Sequence, residues 1–351
     1  MQTLTLVLII IAAVIAAGLI FSYFFWRYVA WRVYQGTLVR TSKDVWGREC
    51  SEPENEEQLS MWERGLAWAE ENGIDVNATQ LGIHKETERY RDLMIENDGF
   101  RLYGQYIDLG FSRAVIIIPG RCESLMYSYY FAKPYQDAGF NILVIDIRCH
   151  GLSSGKYDYV GIGEDSDMMA WARILKERFG NKEVWMHGIC MGSNTAILAA
   201  VNPEAKMENG SPLFDGMVLE GPYVSFRENY KEHLIVGKHP VWPLLGMVMN
   251  QIKKHTGVDV DLAAPIDYID KLEVPTLILA GKSDLYSVPE KTEILFEKCS
   301  APGKKLVWFE GGNHSHLRIA NEEAYDTAIK DWLQETAGSS NSEETTRTDG
   351  E

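Results

Sequence analysis

The chain has 351 residues, with 34 Lys+Arg against 50 Asp+Glu and a formal charge of −16. That length spans one large domain or two small ones and can bury a substantial core. The 46% hydrophobic content excludes disorder for the bulk, and the acidity excludes a nucleic-acid partner, which requires clustered Lys and Arg.

Residues 4–26 carry no charge and consist mostly of Leu, Ile, Val, Ala and Phe, enough helix to cross a bilayer core of about 30 Å. Phe21, Tyr23, Phe24, Phe25, Trp26, Tyr28 and Trp31 cluster at the far end, as suits the headgroup region. A cleaved signal peptide is the competing reading. However, no Lys or Arg precedes the run, and cleavage at Ala16-Ala17-Gly18 would leave an exposed apolar stub. A transmembrane anchor is therefore expected within residues 1–40. Arg27, Arg32, Arg40 and Lys43 follow the span while Met1-Gln2-Thr3 has no charged side chain, so the body is expected on the cytoplasmic side of a single-pass membrane protein. The cysteines (Cys50, Cys122, Cys149, Cys190, Cys299) are odd in number and lack a C-x-x-C pair. They form neither a disulfide framework nor a zinc knuckle, and point independently to a reducing compartment.

Residues 41–84 are expected to hold a polar linker and an amphipathic helix over 60–72, with Trp62, Leu66 and Trp68 at mostly helical spacing. Strand-like runs then flank Asn97-Asp98-Gly99, suggesting a hairpin. Beyond it, apolar runs at 114–120, 141–148, 183–188, 216–222, 275–281 and 305–311 alternate with helical stretches near 124–138, 165–179, 191–202, 288–299 and 321–336. This alternation predicts an α/β fold with a mainly parallel sheet covered by helices on both faces. The long gap between 222 and 275 holds an apolar insertion with Trp242, Leu244, Leu245, Met247 and Met249. From Gly338 the chain is small, polar and acidic, and 338–351 reads as a disordered tail.

In such a sheet, chemistry gathers at the carboxyl ends of strands. The run EVWMHG leads through Gly188-Ile189-Cys190-Met191-Gly192 into a helical stretch. This is the strand–turn–helix setting of a nucleophile elbow, G-x-S-x-G, with cysteine in the nucleophile position. It sets a thiol at a helix amino terminus, where partial positive charge favours an anion.

Here residues 85–337 resemble the α/β-hydrolase superfamily. Pro119-Gly120-Arg121-Cys122-Glu123-Ser124 is similar to the family's oxyanion loop, with proline in place of the usual histidine. Asp146-Ile147-Arg148-Cys149-His150-Gly151-Leu152-Ser153-Ser154-Gly155 resembles its D-x-R-x-H-G-x-S-x-G turn. The resemblance implies a Cys190, Asp284, His314 triad in the family's chain order, with the backbone N–H groups of Arg121 and Met191 as oxyanion donors. It also implies that the insertion, about 223–262, is a small cap. Among branches the chain looks like the serine aminopeptidase or prolyl-oligopeptidase-like hydrolases, and its cysteine nucleophile is similar to that of dienelactone hydrolases.

His316 is the alternative base and Glu220 the fallback acid; His150 and His187 occupy motif positions usually filled for structural hydrogen bonding. The implied activity is cleavage of an ester, thioester or lactone on a small acyl or lipid-like substrate. No cofactor is required, and neither metal-ligand spacing nor a phosphate-binding Gly-rich loop is present in the sequence. The alternative is a membrane-anchored, catalytically inactive hydrolase-like scaffold that binds a lipid or a protein. Nothing in the sequence sets an oligomeric state.

Overall fold

A computed structural model describes residues 2–40, 56–74, 89–312, 314, 315 and 317–347, without the side chains of 2 and 337–347. In chain order it contains α1 (Gln2–Thr37), α2 (Glu56–Glu71), β1 (Tyr90–Asn97), β2 (Phe100–Ile107), β3 (Arg113–Ile118), α3 (Leu125–Ser128), α4 (Ala132–Asp137), β4 (Phe140–Asp146), α5 (Asp165–Glu177), β5 (Glu183–Ile189) and α6 (Met191–Val201). Then follow β6 (Gly216–Glu220), α7 (Phe226–Val236), α8 (Leu244–Thr256), β7 (Thr276–Gly281), α9 (Pro289–Lys298), β8 (Lys305–Phe309), α10 (Leu317–Ala320) and α11 (Glu322–Arg347).

The eight strands form one sheet in the order β1-β2-β4-β3-β5-β6-β7-β8. β1 and β2 are the expected hairpin, with Asn97 opposite Phe100 and the left-handed Asp98 and Gly99 making the two-residue turn. β2 also runs antiparallel to β4, and all later pairings are parallel. Strands β4, β6 and β7 are buried along their whole length. They can be, because sheet faces covered by helices demand near-continuous apolar runs rather than alternation.

The insertion after β6 folds into α7 and α8. α7 opens on a capping arrangement, Ser225 Oγ accepting from the Glu228 N–H at 3.2 Å.

Three segments differ from the sequence expectation. α1 is unbroken, and its apolar side chains are exposed through Phe25; from Val29 onward one face of the same helix packs against the body, while Tyr28 and Trp31 stay exposed. Ala30, Tyr34 and Leu38, at i, i+4 spacing, are fully buried. Tyr34 stacks on His255 of α8, and Val39 forms a β-bridge with Tyr157. Arg40 donates to the carbonyls of Ser153 and Gly151. Residues 30–40, grouped by sequence with the anchor, thus belong structurally to the body. α2 likewise is docked: Met61, Gly65, Trp68 and Ala69 are buried, and Trp68 Nε1 donates to Gln136 Oε1 at 2.6 Å. Finally, α11 continues to Arg347. The stretch 338–347 is helical because a packed helix already nucleated through Tyr325, Ile329, Trp332 and Leu333 needs only propagation to extend. Residues 348–351 and the rest of the 41–84 segment (41–55, 75–84) lie outside the described residues.

Candidate active site

Cys190 sits between β5 and α6 with φ 51° and ψ −108°, a left-handed backbone rare for a side-chain-bearing residue. Its N–H donates to the Glu220 carbonyl at 2.8 Å, and Ser193 Oγ locks the turn by donating to the carbonyls of Gly188 and Glu220. The flanking glycines are required by contact. A Cβ on Gly188 would lie 2.4 Å from the Gly192 carbonyl oxygen, and one on Gly192 would lie 2.4 Å from the Ile118 carbonyl oxygen. The turn is therefore as tight as the motif predicts.

The loop after β7 carries Asp284, and the loop after β8 carries His314. Asp284 Oδ1 accepts from the N–H groups of Tyr286 and Ser287, both at 2.8 Å. Oδ2 thereby points at the imidazole and meets His314 Nδ1 at 2.7 Å. The imidazole lies against Gly221, where an added Cβ would sit 3.3 Å from its Cε1. Nε2 has no well-aligned hydrogen bond among the described residues. Burial disfavours the His314 charge, yet the interaction with Cys190, followed by that with the Asp284 carboxylate, outweighs it and holds the imidazolium well above its ordinary pKa. Cys190, Asp284 and His314 are thus brought together.

The loop after β3 passes over Cys190. The Gly120 N–H donates to Glu123 Oε2 at 3.0 Å, the Cys122 N–H to His150 Nε2 at 3.1 Å, and the Glu123 N–H to the Gly120 carbonyl. The Arg121 N–H has no acceptor among the described residues. The Met191 N–H is the first of α6, where a helix leaves its donors unpaired.

The remaining sequence candidates lie elsewhere. Glu220 is fully buried at the carboxyl end of the interior strand β6, its carboxylate holding the Leu317 N–H and the Tyr325 hydroxyl rather than His314. His187 is enclosed near Tyr325, and burial pushes its pKa down to about 3. His150 braces the loop at Cys122. His316 lies outside the described residues.

Three residues escape the sequence reading. Glu123 places its carboxyl beside Gly120 and Cys190, and burial pushes its pKa up to about 7 against the Gly120 N–H and the His314 charge. Tyr286 packs edge-on to His314 and stacks on His233 at 4.1 Å. His233 is held neutral, its pKa lowered to about 3 by burial and then by the Arg121 charge. Only a polar residue just after a strand could flag Glu123; the other two depend on how α7 folds over the loop of Asp284.

Comparison with known proteins gives the same architecture. The family described as alpha/beta hydrolase fold matches residues 113–235. The Pyrococcus furiosus esterase Pf2001 superposes with a TM-score of 0.59 at 19% identity, over 76% of this chain and 93% of its own. This is the α/β-hydrolase fold. An esterase from Exiguobacterium antarcticum shares it, with a TM-score of 0.51 at 17% identity over 70% of this chain and all of its own. By sequence, the chain is 29% identical over 221 residues to the uncharacterized Bacillus subtilis protein YqkD, covering 62% of this chain and 70% of that one. It is 25% identical over 179 residues to the alpha/beta hydrolase domain-containing protein 17B of Xenopus laevis, covering 51% and 52%. In an α/β-hydrolase fold, the strand ends that carry Cys190, Asp284 and His314 here are where a site is built.

Proposed function

We propose that this chain is a membrane-anchored hydrolase of esters, thioesters or lactones, acting through Cys190. The carrying observation is the juxtaposition of a strained elbow cysteine with a histidine already bonded to a carboxylate at 2.7 Å. The Cys190 thiolate attacks the acyl carbon, its proton held by His314, and the carbonyl π electrons move onto oxygen. The N–H groups of Arg121 and Met191 hold that oxyanion. Collapse expels the alkoxide or thiolate, which takes the proton from His314 and leaves an acyl-thioester. His314 then removes a proton from water, the hydroxide attacks the acyl-thioester, and Cys190 departs as thiolate with the acid released. Asp284 orients the ring and stabilises its charge in both halves. Amides are disfavoured, because thiolate leaves the tetrahedral intermediate more readily than an unprotonated amine.

Esterase neighbours of the same fold support the substrate class. The exposed apolar helix over residues 3–25 supports the anchor, and the positive residues after it support a cytoplasmic body. The full-length protein in neutral detergent should hydrolyse a short p-nitrophenyl ester and be alkylated selectively at Cys190, and Cys190→Ala should abolish both. Neither activity nor selective alkylation in the wild type would leave the inactive-scaffold reading instead. A reporter fused after Glu351 should read cytoplasmic.

A further inference from the structure

The partly buried side chain of Arg121 lines the wall of the site, with no carboxylate hydrogen-bonded to it among the described residues. Nη1 donates to the Thr37 carbonyl at 3.1 Å and approaches Cys122 Sγ at 3.5 Å. Nε and Nη2 have no partner among the described residues. Two fully enclosed arginines show the usual arrangement. Arg148 is bonded through Nε and Nη2 to Asp167, and Arg318 through Nε and Nη2 to Asp326. A guanidinium cannot shed its proton, so a charge partly removed from water and without an acid bonded to it is left open to an incoming anion.

Among the described residues, the nearby acids make no hydrogen bond to the guanidinium. Asp158 feels the Arg121 charge but is fully buried, with Oδ1 accepting from the Val160 N–H and Oδ2 without a partner; burial raises its pKa. Glu123 is committed to the Gly120 N–H. The other neighbours are Cys190 and the Tyr230 hydroxyl, the latter bonded to Thr37 Oγ1 at 3.0 Å, and the Arg121 charge helps to lower the pKa of His150 and His233.

We propose that Arg121 binds an anionic group, phosphate or carboxylate, carried by the ester substrate. This rests on Cys190 being the nucleophile. The same residue would then hold two points of the substrate, its N–H at the carbonyl oxygen and its guanidinium at the anion. The side chain reaches about 6 Å from Cα, so the anion belongs roughly four to six bonds from the ester carbonyl. The favoured class is an acyl ester of a small phosphorylated or carboxylated alcohol. The planar fork of nitrogens suits either oxyanion.

The test compares 1-octanoylglycerol, 1-octanoylglycerol 3-phosphate and 3-octanoylglycerate as substrates of the full chain in neutral detergent. The wild type should prefer an anionic ester over the neutral one, and the better of the two anions identifies the source. Arg121→Gln should lower the anionic-to-neutral ratio of kcat/KM by about 30-fold or more, mainly through KM, and Arg121→Lys should restore part of it. A ratio unchanged in Arg121→Gln, or a wild type without anionic preference, would overturn the proposal and leave Arg121 as a cap on α1. Should Arg121→Gln fail to fold, inhibition of the wild type decides. Octyl phosphate or octanoate must inhibit at least about tenfold better than octanol, and equal inhibition overturns the proposal. A wild type that cleaves none of the three esters and is not alkylated at Cys190 would instead refute the hydrolase reading beneath it.

Discussion

Replacing Asp284 by Asn tests the site at its most constrained point. In the wild type one carboxylate oxygen accepts two backbone N–H bonds, from Tyr286 and Ser287, and the other accepts from His314 Nδ1. An asparagine must choose. If its oxygen stays with the two backbone donors, its NH₂ faces His314 Nδ1, which must then accept, so the imidazole proton moves to Nε2. That nitrogen is the one required to take the proton of Cys190. Turning the amide around restores the productive tautomer but leaves two buried N–H groups facing an NH₂, at about 1–3 kcal/mol each. Productive turnover therefore lies roughly 2–6 kcal/mol higher, a loss of about 30-fold to about 25,000-fold in kcat/KM. The assay is p-nitrophenyl ester hydrolysis with ¹⁵N NMR of the His314 ring. A variant within tenfold of wild type, with Nδ1 still protonated, would refute the argument.

Gly192→Ala should abolish soluble expression or lower stability by at least about 3 kcal/mol, because its Cβ meets backbone oxygen rather than a movable side chain; a melting temperature near wild type would contradict it. Deleting residues 2–25 should leave a folded, soluble body, whereas deleting 2–40 removes the buried Tyr34, Leu38 and Val39, about 5–9 kcal/mol of apolar burial, and should prevent folding. Circular dichroism of the two truncations checks this. His187 stays neutral in the folded state down to pH about 3, while the unfolded chain protonates it near 6.5. Its contribution is present above pH 6.5 and is lost as pH falls, approaching about 1.4 kcal/mol per unit below 5.5. Urea unfolding of His187→Asn should show a shallower acid limb than the wild type between pH 6.5 and 4.5.

Much of this was legible because tight geometry leaves marks on residue choice. The elbow reads from Gly188 and Gly192, which only a turn without room for side chains requires. The hairpin reads from Asp98-Gly99, and the strand sequence from apolar runs that must be buried on both faces. The meeting of Asp284 with His314 follows from their places after β7 and β8. Other features depend on packing between distant segments, which periodicity does not encode. The docking of Ala30, Tyr34 and Leu38 was hidden inside a stretch apolar enough to read as anchor throughout. Glu123 and His233 look like surface residues in sequence, and only the fold of the β3 loop and of α7 encloses them. The helix beyond Gly338 was obscured by residues of weak helical preference.

The unbroken course of α1 has a consequence for where the protein can act. A flexible tether would let the body sweep a hemisphere and sample substrates at many heights. With residues 3–25 in a bilayer, a single helix that locks onto the body from Val29 permits only tilt and rotation about its own axis. The active site is then carried at one fixed elevation. On the hydrolase reading proposed above, selectivity would then be partly one of position: a scissile bond would have to present itself at that height, whatever its chemistry.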